Sequence, residues 1–272
     1  MSKLAVILGL LGVTTVYANN GIPEHYFTDN QGIDAAQAGS PMWHMASGSC
    51  LPSAAEDGQG HQTNGVDPGS GDCAVGAYLG HGCPGDSTWR GSNNVWYHDA
   101  PGEPFYDIPT YFTTRKCGDR DWRIYYGVYF KKDVGHKSDW EWAVMKWTPD
   151  GPGGSWVRNS VVLQVDKTWG GGNYGDIPNT FDRSGDQFQD GNRNRDHPKF
   201  YFGKHHHAVH WDMSGNFKST CPGLGTDDFR SNDFQFWAHS DLRHINFIGS
   251  DWNYGQATNP HAVDLCDGHG KI

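Results

Sequence analysis

The sequence predicts an all-β body with long loops and few short helices. Three observations point there. Gly and Pro are abundant, at 37 and 14 of 272 residues, and aromatic residues make up 14% of the chain. The aromatics gather with β-branched residues in short runs bounded by turn residues. No apolar pattern of helical period lasts beyond two or three turns.

The chain opens "MSKLAVILGLLGVTTVYANN". Lys3, the apolar run from Leu4 to Val13 and the small-residue site ending at Ala18 read as a secretory leader over residues 1–18. The run is too short to span a bilayer, and no later window is apolar enough to do so. The expectation is an exported, extracellular monomer with one domain over 19–272. Export suits the six cysteines, Cys50, Cys73, Cys83, Cys117, Cys221 and Cys266, which read as disulfides. Spacing alone chooses none of their 15 pairings, and no CxxC or CxxH pattern suggests a zinc finger.

Residues 19–121 are mostly turn residues, as in "EDGQGHQTNGVDPGSGDC" (56–73). The first four cysteines fall here, with Trp89, Trp96 and Tyr97, and predict ordered loops stapled to a core. Strands follow: "WRIYYGVYF" (122–130) and "DWEWAVMKW" (139–147) as a hairpin, then "SWVRNSVVLQV" (155–165), "KFYFGKHHHAVHW" (199–211), "DFQFW" (233–237) and "LRHINFI" (242–248). A long polar loop covers 170–197.

A formal charge of −10 opposes binding to phosphate backbones or anionic lipid, so nucleic acid is excluded as a partner unless a bound cation changes the local field. No GxSxG, HExxH, P-loop or dinucleotide fingerprint appears, which removes serine hydrolases, zincins and nucleotide-dependent enzymes.

The chemistry concentrates in "DVGHKSDWEW" (133–142). Strand alternation places Asp139 and Glu141 on one face and Trp140, Trp142 and Val144 on the other, apolar face. Asp133 and His136 arrive from the turn, where Gly135 lets the backbone bend. Crowded carboxylates raise one another's pKa unless a cation sits among them. Three acids and one imidazole suit Mg²⁺ or Ca²⁺, admit Mn²⁺ and disfavour Zn²⁺, for want of a thiolate or second imidazole. Two other readings stand beside this one. The turn is a charged tip neutralised by Lys131, Lys132 and Lys137, or the acids are the pair of a glycosidase, since residues i and i+2 lie roughly 6 to 7 Å apart.

In "HHHAVHW" (205–211), His205 and His207 share one strand face and His206 and His210 the other, which reads as a surface strand rather than a metal site. In the loop "TWGGGNY" (168–174), Trp169 and Tyr174 either stack on a sugar ring or pin the loop.

Gly135-His136-Lys137-Ser138-Asp139-Trp140-Glu141 resembles the heptapeptide GHRHDWE of the necrosis- and ethylene-inducing peptide 1-like (NPP1) proteins. The likeness extends over roughly 42–265, through "WRIYYGVYFKKD", the His-Ala pair of "KFYFGKHHHAVH" and "DWNYGQATNPH" (251–261). It implies a β-sandwich similar to actinoporins, with Mg²⁺ or Ca²⁺ held by Asp133, His136, Asp139 and Glu141. It also implies binding to glycosylinositol phosphorylceramide head groups of plant host membranes, with necrosis or cytolysis and no bond hydrolysed, and a Cys50–Cys73 disulfide. Four cysteines then remain, with three pairings. Lys137 stands where the family has Arg and Ser138 where it has a second His. These differences spare the implied ligands and bear on cytolysis, so a non-cytolytic glycan-binding effector on the same scaffold is the alternative. Lys137 joins Trp169 and Tyr174 as a candidate ligand contact.

Overall fold

Alternating aromatic and β-branched residues give the chain its longest strands. The computed structural model describes residues 19–45, 50–57, 59–68, 108–133, 135–165, 168–177, 179–180, 197–203, 206–211, 230 and 234–266. The leader 1–18, Trp89, Trp96, Tyr97, Cys73, Cys83, Cys221 and His205 lie outside them. In chain order the elements are β1 (Ile22–Pro23), α1 (His25–Thr28), α2 (Ile33–Ala38), β2 (Met42–Met45), β3 (Thr110–Gly118), β4 (Asp121–Lys132), β5 (Lys137–Pro149) and β6 (Ser155–Val165). They continue with β7 (Thr168–Asn173), β8 (Asn179–Thr180), β9 (His197–Phe202), β10 (Val209–His210), β11 (Phe234–Trp237) and β12 (Leu242–His244). No helix among the described residues is long and apolar enough to cross a membrane.

Two sheets form. One runs β1-β6-β5-β4-β3-β12, with β7 also on β6, and the other β10-β9-β2-β11, with β8 also on β9. Pairing is antiparallel except for β12 on β3 and β2 on β9. Between the sheets lies the main core, where Ile124, Tyr126, Val128 and Phe130 of β4 and Ala143, Met145 and Trp147 of β5 meet Trp43, Phe200, Phe202 and Val209. The protein is thus an all-β sandwich, as expected.

β5 is buried on both faces. Trp140, Trp142 and Val144 pack with Tyr111, Tyr125 and Tyr129 in a second cluster, covered by Ile245, Ile248, Tyr254 and Leu265 of the C-terminal segment. Both faces of the central strands are therefore buried, each large side chain adding roughly 1.5–3 kcal/mol. The covering segment is fastened by its backbone. The ring N–H at Nε2 of His261 faces the carbonyls of Ile245 and Ile248 at 3.0 and 2.9 Å, and Arg123 Nη1 donates to Leu265 O at 2.8 Å. A disulfide joins Cys117 to Cys266, one of the pairs that spacing left open. Cys50 is disulfide-bonded too, while its expected partner Cys73 lies outside the described residues.

Several boundaries differ from expectation. The region 19–121 contains α1, α2, β2 and the nine-residue β3, whose "TYFTTRKCG" alternates too irregularly to stand out. Residues 168–173 are a strand paired to β6 rather than a loop. The expected strand 199–211 is two strands, β9 and β10, folded back on each other around a turn at 206. Only Leu242–His244 of the expected 242–248 strand is extended, and Ile245–Phe247 is a 3₁₀ turn.

Candidate functional site

The β4–β5 hairpin sets the site. Lys132 pairs with Lys137, and the turn between them is closed by the Asp133 N–H donating to His136 O at 2.8 Å. Ser138, with φ at +60°, lies buried beneath a second segment. Its hydroxyl is 3.0 Å from the Tyr129 hydroxyl, and the Val66 N–H donates to Lys131 O at 2.7 Å. Gly65 is required there, because a Cβ would lie 2.2 Å from Ser138 Oγ and 2.7 Å from Ser138 N. Burial pushes the Tyr129 phenol above its ordinary pKa, so it remains a neutral hydroxyl at physiological pH.

Register then places the acids. Asp139 lies opposite Phe130 and Glu141 opposite Val128, on the face that continues inward as Ala143, Met145 and Trp147. The two carboxylates therefore end the inter-sheet face rather than point to solvent. Asp133, Asp139 and Glu141 retain only 6, 6 and 3% of their accessible surface. They line one cleft of about 350 Å³ with Gly135 and His136. Its other walls are Gln164, His206 and the segment Gln256, Ala257 and Thr258.

Imidazoles lie close to two of these acids, Asp133 and Asp139. Asp133 Oδ2 lies 3.5 Å from His136 Nε2 and 3.4 Å from His206 Nδ1. Asp139 Oδ2 lies 3.5 Å from Nδ1 of His207, a fully buried ring stacked on Phe130. The expected surface strand at 205–211 is corrected accordingly. The chain turns at 206, with His207 at φ +60°, so His206 reaches the cleft and His207 enters the core. Lys137 Nζ is 3.7 Å from Asp67 Oδ1 and lies outside the cleft lining.

The two aromatics of 168–174 part company. Tyr174 is buried in the main core with the Arg158 guanidinium 6.0 Å from its ring, so it pins the chain and cannot meet a ligand. Trp169 is 44% exposed, leans on Trp142 with ring centroids 4.6 Å apart, and pairs across the strands with the cleft residue Gln164. The Gln164 Oε1 atom is buried with no hydrogen-bond partner among the described residues.

No family model and no curated protein matches the chain. Among solved structures it is similar to the non-toxic HaNLP3 protein, at 15% identity over 84% of each chain with a TM-score of 0.45. A substituted form of NLPPya is similar at 13% identity over 90% of each chain, with a TM-score of 0.45. NLPPya in complex with mannosamine is similar at 15% identity over 89% of this chain and 90% of that one, also with a TM-score of 0.45.

As the side chains stand, no three His, Cys, Asp or Glu groups among the described residues are set to hold a metal ion. The donor chemistry is nevertheless concentrated. Four groups from nine consecutive residues share one cleft, and its volume leaves room for a cation that keeps part of its water shell. Sequence reasoning missed His206, His207, Gln164 and Gln256. Only the three consecutive histidines gave any signal, and strand alternation assigned His206 and His207 to the wrong places.

Proposed function

We propose that this is an exported, non-enzymatic binding protein whose cleft takes a divalent cation among Asp133, His136, Asp139 and Glu141. Through that cation it holds a glycan, carried by a plant membrane glycosphingolipid such as a glycosylinositol phosphorylceramide. The observation that carries the reading is the convergence of these four residues on one cleft of about 350 Å³. A bound cation supplies a local positive field within a chain of net charge −10. Gln164 and Gln256 offer amides to sugar hydroxyls. Trp169, beside Gln164, offers an exposed ring face to the C–H side of a pyranose.

Calorimetry of Mg²⁺ and Ca²⁺ against the native chain and Asp139→Asn tests the cation. Binding lost in the variant supports the reading, and unchanged heat removes the ligand assignment. Dye release from vesicles containing plant glycosphingolipid, with and without chelator, separates a cytolysin from a glycan-binding effector. A secreted hydrolase predicts instead a polysaccharide or phosphoester turned over by the native chain and spared by Glu141→Gln.

A further inference from the structure

We propose that the Cys117–Cys266 disulfide is a reducible latch, which a low-molecular-weight thiol of the glutathione class opens in the folded protein to loosen one wall of the cleft. The proposal goes beyond the reading of the cleft as a binding site, because opening the latch requires neither an ion nor a sugar there.

The bond is placed for access. Cys117 and Cys266 are both partly exposed, one near the end of β3 and the other at the end of the covering segment. Cys50, which is also disulfide-bonded, is only 2% exposed and sits beside Leu51 at 1%. Thiol–disulfide exchange needs a thiolate to reach a sulfur, so exposed disulfides are the labile ones and buried disulfides the resistant ones. The same reagent therefore opens the first bond and spares the second.

The covering segment is built so that a tether at its end matters. Among the described residues no strand lies between Ile245 and Cys266. The segment is bonded to itself instead. Asn259 Nδ2 donates to Gly249 O at 3.0 Å and to Trp252 O at 3.1 Å, and the His261 ring reaches back to the carbonyls of Ile245 and Ile248. The cleft residues Gln256, Ala257 and Thr258 lie within this self-bonded unit. One end of the unit continues from β12, which is paired to β3, and the other end is fastened at Cys266.

Packing beneath the fastened end is incomplete. Val263 and Leu265 meet Trp142, Val144 and Val162 around a cavity of about 10 Å³, the room of about one water. Leu265 O accepts from Arg123, and Gln62 Nε2 donates to Asn253 O at 2.7 Å. These contacts keep the unit seated when the latch opens, so it gains motion rather than leaving the body. The main core between the sheets contains no residue of 245–266, so the sandwich stays folded.

In the reaction a thiolate attacks one of the two cysteine sulfurs and expels the other as thiolate, and a second thiol cleaves the mixed disulfide. Two electrons and two protons pass from two thiol molecules to the protein, leaving two cysteine thiols and one oxidised thiol dimer.

The test incubates the full exported chain with rising concentrations of reduced glutathione in non-denaturing buffer, alkylates the free thiols and maps them by mass spectrometry, with hydrogen exchange recorded in parallel. Cys117 and Cys266 are expected to become labelled together at concentrations that leave Cys50 unlabelled. Exchange is expected to rise over 249–266 and to stay at the native level in β4 and β5. The Cys117→Ala/Cys266→Ala variant is expected to show the raised exchange without thiol. Labelling of Cys50 at the same or lower concentration, or no labelling before the chain unfolds, overturns the latch. So does labelling of Cys117 and Cys266 that leaves exchange over 249–266 unchanged or raises it equally in β4 and β5. The reading of the cleft survives either failure, since titration of the oxidised native chain decides it separately.

Discussion

His207 lies flat on Phe130, with ring centroids 3.9 Å apart and planes within 2°, and holds its Nδ1 3.5 Å from Asp139 Oδ2. The pair joins the core to the cleft, because Phe130 is also the cross-strand partner of Asp139. His207→Ala should cost roughly 2–3 kcal/mol through the lost stack and the cavity left behind. His207→Phe should restore much of that stability but leave Asp139 without its imidazole neighbour. Chemical denaturation of both variants checks the first expectation. Cation titration checks the second, and affinities of both variants equal to that of the native chain would mean that His207 does not position Asp139.

Tyr174 and Trp169 sit five residues apart and should respond oppositely to truncation. Tyr174 is 1% exposed in the main core, so Tyr174→Ala should lower stability by about 3–5 kcal/mol, as for other buried aromatics. Trp169→Ala should leave the melting temperature nearly unchanged and weaken glycan binding. Thermal unfolding with a parallel glycan titration gives both readouts.

The contact between Gly65 and Ser138 makes the hairpin intolerant of bulk. The atoms a new Cβ would meet include Ser138 N at 2.7 Å and Lys131 O at 3.0 Å, backbone groups that cannot swing aside. Gly65→Ala should therefore cost about 1–3 kcal/mol. Ser138→His, which introduces a larger ring into the same buried position, should cost at least as much. A denaturation midpoint for Gly65→Ala equal to that of the native chain would show that the 63–66 segment does not press on the hairpin.

The Cys117–Cys266 disulfide ties the end of the segment that brings Gln256, Ala257 and Thr258 to the cleft. It closes a sequence separation of 149 residues, so the double variant Cys117→Ala/Cys266→Ala should lose about 2–5 kcal/mol. Hydrogen exchange should rise over 249–266 before it rises in β4 and β5. Uniform exchange across both regions would show that the tether does not protect the cleft wall selectively.

Spacing in the sequence already places the β4–β5–β6 core and brings Asp133, His136, Asp139 and Glu141 to one cleft. Strand alternation and a tight turn are local, so residue spacing alone carries them to one end of one hairpin. It did not determine β7, since three consecutive glycines have low strand propensity and are extended here because β6 offers an edge to pair with. Nor did it determine that β5 is buried on both faces, because the covering residues Ile245, Ile248, Tyr254 and Leu265 lie far along the chain, and no spacing within β5 shows what packs on its second face. His206 and His207 show the limit most clearly. Alternation presumes an unbroken strand, and the turn at 206 breaks it, sending one ring to Asp133 and the other under Phe130. Which histidine meets which acid is set by the packing of one sheet on the other, and only the tertiary structure holds that information.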